Sequence, residues 1–471
     1  MTCPGFPARA AATFVLLMVL PAFPVNAQHV AEDFARGQII NKVFCREDPN
    51  QSYALYLPSR YSPDRAWPIL YCLDPGARGG IPVELFQEGA EKYGYIVVGS
   101  NNSRNGPFEI CRAAMEAFWK DTHARFVVSE KRVFGAGMSG GARSMCGLAQ
   151  MSGLLSGVIA CAAGFPGSQV PKSVPYYFFG TAGTDDFNYP EVRQLDADLE
   201  KLGAIKRIVT FEGGHGWAPK SVCTQAIEWL ELQSMKSGLS PRDETLIDSL
   251  FDKAVVSVHE ASEKPGEAYL LNRAIAADFR GLKDVSSFDK EAGALALSKE
   301  VKKFFREEEE THIQQDRRGA ELYNLWMGQR NDEGAGTNSF SEELSNLKKQ
   351  SEGPRDSGPR RVARRVLYGL YVHAYEQARS DLEQKNFARA ARLLELAAAI
   401  RPDSPEVYYN LASAYARAHD KRHALEALGR AIEKGFKDGK RISEDPAFEQ
   451  LRNDPGLKKL LARLTGQGDA N

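Results

Sequence analysis

The sequence has almost no net charge. Its 60 lysines and arginines are balanced by 61 aspartates and glutamates, which leaves a formal charge of -1 at pH 7. The chain therefore has no overall field that would attract nucleic acid or an anionic membrane. Hydrophobic residues make up 43% of the 471 residues, which is enough to build the cores of two or more globular domains.

The sequence also lacks metal-binding patterns. Its seven cysteines show no zinc-ligand spacing, and no H-E-x-x-H motif occurs. We therefore expect neither a metal nor a cofactor, so the chemistry has to come from side chains and backbone groups.

Only one long apolar run is present, and it lies at the N-terminus. Arg9 precedes the apolar residues 10–20, and Val25-Asn26-Ala27 supplies the small residues that a signal peptidase needs. Prolines interrupt the run, which is too short to span a bilayer, so a membrane anchor is the weaker interpretation. We expect residues 1–27 to be a signal peptide and the mature chain to be periplasmic or secreted, without stable membrane insertion.

Six cysteines remain after residue 27, and an oxidising compartment would permit disulfides. Three lie in apolar strands or in a helix, where free buried thiols are common: Cys72, Cys146 and Cys161. The other three lie nearer the edges of the predicted elements and are the better disulfide candidates: Cys45, Cys111 and Cys223.

A glycine-rich segment in the first half fits the pattern G-x-S-x-G. Residues 137–141 read Gly-Met-Ser-Gly-Gly, with Ser139 at the centre, between a predicted strand at 132–136 and a predicted helix at 142–150. The pattern suits a nucleophile elbow, because so sharp a turn leaves room only for very small flanking residues. Glycine-rich turns also follow strands for purely structural reasons. The assignment therefore depends on partners further along the chain.

Those partners follow in the order serine, acid, histidine. The segment 176–190 predicts an apolar strand and then a loop with Asp185 and Asp186, and the segment 205–219 predicts a strand and then a loop with His215. On its own, an Asp-Asp pair more often stabilises a turn, and a histidine in a loop more often has no catalytic role. Residue type, order and position at strand ends together favour a Ser-His-Asp triad.

Two adjacent carboxylates are available for one role. Neighbouring side chains of an extended loop point to opposite sides, so only one of them can face His215. We favour Asp186, because Phe187 directly after it would anchor that side of the loop towards the core, and because Asn188 and Glu191 are available to cap the next helix. Asp185 remains the alternative.

These segments resemble the α/β-hydrolase esterases related to polyhydroxybutyrate depolymerases and feruloyl esterases. The nucleophile segment 132–145, the histidine segment 212–219 and the strand segments 53–80 and 94–102 carry the resemblance, which spans roughly residues 50–235. It implies a doubly wound α/β sheet without a large cap, and hydrolysis of carboxylic esters by the triad.

The resemblance also implies an oxyanion hole. One donor is the backbone N–H of Gly140, and the other is an N–H near Gly76 or Ala77. The chain departs from the family at this second position, because Asp74-Pro75-Gly76 stands where His-Gly is usual.

We expect a hydrolase domain over residues 28–237 and a helical region with flexible linkers over 238–366. Ser240 with Pro241 predicts the start of a new helix, and strand patterns fade beyond this point. The site should be open unless another domain covers it. The basic residues 360, 361, 364 and 365 suggest either an anionic partner or, as the simpler interpretation, the exposed face of a helix.

An internal repeat of 34 residues ends the chain. Small and large apolar residues recur in register, with Ala390 and Leu394 over Ala424 and Leu428, as nested antiparallel helices require. This resembles tetratricopeptide repeats, so residues 367–471 should form repeats with C-terminal capping helices. Such arrays bind peptides or protein surfaces, but a packing or dimerisation module is an equally good interpretation.

The sequence thus predicts an exported serine esterase, acting on a small or polymeric ester and carrying a helical repeat domain. Two alternatives stay open. One is a serine peptidase of the same fold, and the other is a non-catalytic scaffold that acts through the repeats.

Overall fold

The computed structural model describes residues 34–328 and 336–464. The predicted signal peptide lies outside these residues. Eight strands form a single sheet: β1 (Ile39–Phe44), β2 (Ser52–Tyr56), β3 (Trp67–Leu73), β4 (Ile96–Ser100), β5 (Val128–Met138), β6 (Gly157–Cys161), β7 (Tyr177–Gly183) and β8 (Lys206–Phe211).

The strand order is β1-β2-β4-β3-β5-β6-β7-β8. Strand β2 runs antiparallel to its neighbours β1 and β4, and the other pairs are parallel. This is the strand order of an α/β-hydrolase, so the predicted fold is confirmed. The carboxyl ends of β5, β7 and β8 meet at one edge of the sheet, where open α/β sheets bind their ligands.

The central strands are apolar because helices cover both faces of the sheet. Every residue of β3 and β7 is buried, as expected for parallel strands inside a doubly wound fold. The sheet helices are α1 (Gly80–Tyr93), α2 (Phe108–Arg125), α3 (Gly140–Ser152), α4 (Tyr189–Lys201) and α5 (Lys220–Lys236). Helices α2, α3 and α4 pack on one face, and α1 and α5 pack on the other.

The structure corrects the prediction that Cys45, Cys111 and Cys223 are disulfide candidates. All six cysteines among the described residues are free and buried. Cys45 and Cys111 lie in the core on one face of the sheet, whereas Cys223 lies on the other. The Sγ atoms of Cys111 and Cys223 instead lie 3.6 Å from Arg104 O and 3.4 Å from Ala218 O.

Helices make up the rest of the described chain: α6 (Glu244–Glu260), α7 (Pro265–Phe279), α8 (Ser286–Leu297), α9 (Lys299–Gly328), α10 (Gly336–Ser351), α11 (Gly358–Glu383), α12 (Phe387–Ile400), α13 (Pro405–Arg417), α14 (Lys421–Glu433), α15 (Gly439–Glu444) and α16 (Pro455–Leu464). The N-cap of α6 is Asp243, whose carboxylate accepts a hydrogen bond from Leu246 N, and not Ser240 as predicted. We refer to α6–α16 as the helical half.

The two halves share a core at their junction. Leu232 and Met235, at the end of α5, pack with Ile247 of α6 and with α7. Trp229 Nε1 of α5 donates to Asp278 of α7 at 2.7 Å. The predicted boundary near residue 237 lies between α5 and α6, whereas the one at residue 366 falls inside α11 and is wrong.

The repeat packs as the sequence predicted. Helices α11 to α14 form two antiparallel hairpins, and the repeated residues Ala390, Leu394, Ala424 and Leu428 are buried between them. Helix α10 packs against α11 on one side, and α16 packs against α14 on the other. Two repeats are therefore completed by helices at both ends.

Candidate active site

Ser139 occupies a strained turn between β5 and α3. Its backbone angles are φ 53° and ψ -121°, a region that residues other than glycine rarely adopt. Its N–H donates to Cys161 O at 2.8 Å, which ties the turn to the end of β6. The serine hydroxyl is thereby held at the N-terminus of α3.

The glycines on either side are required by close backbone contacts. A Cβ atom on Gly137 would lie 2.3 Å from Gly141 O, and one on Gly141 would lie 2.1 Å from Leu73 O. Both obstacles are backbone atoms of packed elements, so no side-chain rotation relieves them. This explains the G-x-S-x-G pattern in physical terms.

Gly141→Ala should therefore destabilise the protein by about 3 kcal/mol, because the added methyl must push β3 and α3 apart. The thermal unfolding midpoint measures this effect. Gly319→Ala is the matched control, since a Cβ there meets nothing within 4 Å. The control should hold or raise the midpoint, and equal midpoints for the two variants would contradict the packing argument.

His215 links the serine to a carboxylate. Its Nε2 lies 2.9 Å from Ser139 Oγ, and its Nδ1 lies 2.9 Å from Asp186 Oδ1. The carboxylate accepts, so Nδ1 carries the proton and Nε2 accepts from the serine hydroxyl. Asp186 Oδ1 also accepts from Asn188 N at 2.8 Å, which fixes the carboxylate. The three predicted side chains thus form one continuous hydrogen-bonded chain.

The two adjacent aspartates have different surroundings. Asp186 is fully buried beside His215, whose ring lies 4.4 Å from that of Phe187. Asp185 points to α11 instead, where its carboxylate lies 2.7 Å from Arg364 Nη1. The structure therefore contradicts the alternative that Asp185 is the partner of His215.

The predicted caps of α4 have other partners. Asn188 Nδ2 donates to Ala162 O at 2.8 Å. Glu191 forms a two-pronged ion pair with Arg143 of α3, at 2.9 and 2.7 Å. The first contact ties the acid side of the site to the end of β6, and the second ties it to the nucleophile helix α3.

The oxyanion side of the site agrees with the prediction only in part. Gly140 is the first residue of α3 and directly follows Ser139, so its N–H has no acceptor within the helix. Gly76 N–H, by contrast, donates to Asp74 Oδ1 at 2.8 Å, and Ala77 N–H makes a long contact of 3.3 Å with Asp74 O. Gly76 is therefore not a free donor.

Asp74 explains this departure. Its buried carboxylate accepts from Gly76 N–H, from Arg78 and, at 2.9 Å, from Trp217 Nε1. Trp217 belongs to the histidine loop, so Asp74 ties the oxyanion turn to that loop. The unusual Asp-Pro-Gly sequence was the only indication of this role.

Helix α11 covers the site. Tyr368 lies 5.9 Å from the His215 ring, and Arg379 Nη2 donates to Asn105 O at 2.7 Å. Glu376 accepts from Asn105 Nδ2. The hydrolase domain thus has no cap of its own, but the helical half supplies one.

A cavity of about 490 Å³ opens beside Ser139 between the two halves. Its charged and polar lining comes from both: Arg104, Asn105, Arg143, Ser144, Asn188, His373, Glu376 and Arg379. Its apolar walls are Phe108, Pro166, Phe187 and Val372. The site is therefore a polar cavity with a small apolar part.

The structure also corrects the prediction that the basic residues at the start of α11 are the exposed face of a helix. Arg365 is only 3% exposed, and it donates to Thr184 O from Nε at 2.9 Å and from Nη2 at 2.5 Å. Its guanidinium lies 4.2 Å from the centre of the Tyr189 ring. Burial lowers the pKa of Arg365 and raises that of Tyr189. Arg360, Arg364 and Arg365 bind the loop of the triad acid, so this part of α11 is more than a solvated face.

Within residues 34–328 and 336–464, no cluster of three or more histidine, cysteine or acidic side chains has a geometry that could hold a metal. None of the helices in this part of the chain is long and apolar enough to cross a membrane.

One family model matches part of the chain. The tetratricopeptide repeat family matches residues 381–443. The strand order and elbow are those of an α/β-hydrolase. The chain joins an α/β-hydrolase fold to tetratricopeptide repeats. No curated protein sequence matches it.

Three solved structures that resemble the chain each align with less than half of it. A ferulic acid esterase is 15% identical, with 41% of this chain and 97% of that chain covered and a TM-score of 0.35. A fluorophosphonate-binding serine hydrolase from Staphylococcus aureus is 14% identical, with 38% and 92% covered and a TM-score of 0.32. A hyperthermophilic esterase from the archaeon Pyrobaculum calidifontis is 11% identical, with 42% and 87% covered and a TM-score of 0.36.

Proposed function

We propose that this protein is an exported serine hydrolase that cleaves carboxylic esters through Ser139, His215 and Asp186. The observation that carries the proposal is the hydrogen-bonded chain from Ser139 Oγ through His215 to Asp186, with both links at 2.9 Å. This chain begins in a strained elbow at a helix N-terminus, which is the arrangement that nucleophilic catalysis by serine requires.

In the proposed reaction, His215 Nε2 takes the Ser139 proton as the oxygen attacks the ester carbonyl carbon. The carbonyl oxygen becomes an oxyanion, which accepts from Gly140 N–H and from Ala77 N–H, whose existing contact is long. His215 then gives the proton to the departing alcohol oxygen, leaving an acyl group on Ser139. His215 takes a proton from a water molecule as the water oxygen attacks the acyl carbon. It then returns this proton to Ser139 Oγ as the bond between Oγ and the acyl carbon breaks, which releases the carboxylic acid.

Export is part of the proposal and depends on the signal peptide predicted at residues 1–27. The repeats add a surface of the kind that binds protein partners in other arrays. Their first helix, α11, already packs on the hydrolase domain. We therefore assign the remaining repeat surface to partner binding.

The cavity favours esters with a short or polar acyl group. An extended alkyl chain would shield charged groups such as Arg104 and Arg379 from water with hydrocarbon, and removing a charge from water is costly. We expect kcat/KM for p-nitrophenyl acetate or butyrate to exceed that for the octanoate and palmitate by at least about tenfold, the loss that about 1.4 kcal/mol of unfavourable burial produces.

The panel of p-nitrophenyl esters should be run beside aminoacyl anilides. Ester turnover that disappears in Ser139→Ala, with negligible anilide turnover, supports the esterase assignment. Faster cleavage of anilides would favour a peptidase. If no substrate of either kind were cleaved, the enzyme assignment would fall and the scaffold interpretation would stand.

A further inference from the structure

The loop that carries the triad acid, residues 184–187, is held between two parts of the protein. We call it the acid loop. On one side it binds the β8 strand and the histidine loop, through Thr184 N–H to Phe211 O and Asp185 N–H to Gly213 O, both at 2.8 Å. These bonds fix its distance from His215.

On its other side, the acid loop contacts the helical half. Arg365 donates twice to Thr184 O, with its guanidinium stacked on Tyr189. Arg364 and Arg360 of the same helix bind the Asp185 carboxylate at 2.7 and 3.3 Å. Three arginines of α11 thus bind the two residues that precede Asp186.

The residue after Asp186 is also held by the helical half. Gln315 Nε2 of α9 donates to Phe187 O at 2.8 Å. Helix α11 approaches so closely at Gly369 that a Cβ there would lie 3.1 Å from Phe187 Cβ. The Phe187 ring in turn lies 4.4 Å from His215. Asp186 therefore sits between residues that the helical half fixes on both sides.

The burial of Arg365 indicates that its contact with the acid loop is specific. An arginine is almost never fully buried unless it is paired, and at 3% exposure this one binds a backbone carbonyl and an aromatic face. Its planar fork directs two donors at Thr184 O, a geometry that a lysine cannot reproduce. A helix that only covered the site would not need a buried guanidinium against the acid loop.

We propose that Arg364 and Arg365 are positioning residues for the triad, which hold the acid loop so that Asp186 aligns His215. The proposal rests on the serine hydrolase function above. It makes the helical half part of the catalytic unit. Residues 28–237 alone would keep the nucleophile but lose the contacts that place the acid.

The test uses the full-length protein with Arg365→Met and Arg364→Gln. We expect Arg365→Met to lower kcat by about 100-fold, the loss produced by misplacement of about 1 Å, with KM changed less than about twofold. Arg364→Gln, at a side chain that is 46% exposed and so tolerant of substitution, should lower kcat by about fivefold. Arg361→Gln is the control, because Arg361 pairs with Asp356 at 3.2 Å and not with the acid loop.

A double-mutant cycle separates positioning from general structural damage. If Arg365 acts through Asp186, Arg365→Met should cost almost nothing further in an Asp186→Asn background. Arg365→Lys should recover little of the loss, because a lysine lacks the fork. Additive losses in the cycle, or variants with kcat equal to that of Arg361→Gln, would overturn the proposal.

A second readout does not depend on turnover. The NMR resonance of the proton between His215 Nδ1 and Asp186 Oδ1, identified by its absence in His215→Asn, should be shifted or broadened in Arg365→Met and Arg364→Gln. An unchanged resonance in both would overturn the positioning role even if no ester were cleaved. Absence of Ser139-dependent hydrolysis in the wild type, with the resonance perturbed as expected, would overturn the proposed function alone.

Discussion

Ser139→Ala is expected to lower turnover of p-nitrophenyl acetate by about 10⁶-fold while leaving the protein folded. The loss is large because Ser139 Oγ is the atom that attacks, and His215 has no other hydroxyl in its hydrogen-bonded chain. The change removes one oxygen from a partly buried side chain, so the backbone strain and the glycine contacts of the elbow remain.

The matched control is Ser152→Ala, at the other end of α3. Its hydroxyl accepts only an exposed local hydrogen bond, from Leu154 N at 3.2 Å. We expect wild-type turnover from this variant and the same thermal midpoint from both. A Ser139→Ala protein that melted normally and kept a tenth of wild-type turnover would refute the serine mechanism.

The nucleophile turn and its partners could be predicted because their requirements are local. Gly137 and Gly141 are required by contacts with backbone atoms, so the pattern around Ser139 has a steric cause that the sequence displays directly. The Asp-Asp pair follows the fully buried strand β7, and His215 follows the partly buried edge strand β8. Strand order then brings their ends to one edge without further information.

Features that depend on distant contacts were not predictable. Asp74 stood where the resembled family has another residue, but nothing local indicated that it would accept from Gly76 and Trp217. The arginines of α11 bind a loop about 180 residues earlier in the chain (Arg365–Thr184, separation 181), and a helix with basic residues is usually solvated. The roles of Asp74 and of the α11 arginines both depend on tertiary contacts between segments that are distant in the sequence.

The domain boundaries show the same limit. The predicted boundary at residue 366 was based on where the repeat pattern begins. Helix α11 begins earlier, at Gly358, because its N-terminal end also binds the hydrolase domain. Arg360, Arg364 and Arg365 contact the hydrolase domain, whereas Ala374 and Ala378 pack in the core of the helical half. Helix α11 thus contributes to both the hydrolase site and the repeat. A sequence pattern that describes only the repeat places a boundary inside this helix.

Asp186→Asn should lower turnover by about 10⁴-fold, and Asp185→Asn by less than about tenfold. Asp186 Oδ1 accepts from both His215 Nδ1 and Asn188 N–H, whereas Oδ2 is buried with no hydrogen-bond partner among the described residues. An asparagine that kept its oxygen in the Oδ1 position would lose the charge that stabilises the protonated imidazole. It would also bury an unpaired N–H₂ group where Oδ2 had been.

An asparagine in the opposite orientation would direct N–H₂ at His215 Nδ1, which forces the other tautomer and removes the acceptor for the serine proton. Either orientation therefore slows the reaction. Asp185 contacts only arginines of α11 with its carboxylate, so its amide keeps a weaker version of those bonds and Asp186 stays in place. Turnover and thermal midpoints of the two variants, measured side by side, decide between the roles. A larger loss in Asp185→Asn would move the acid to that residue, and near-wild-type turnover in both would place it elsewhere in the chain.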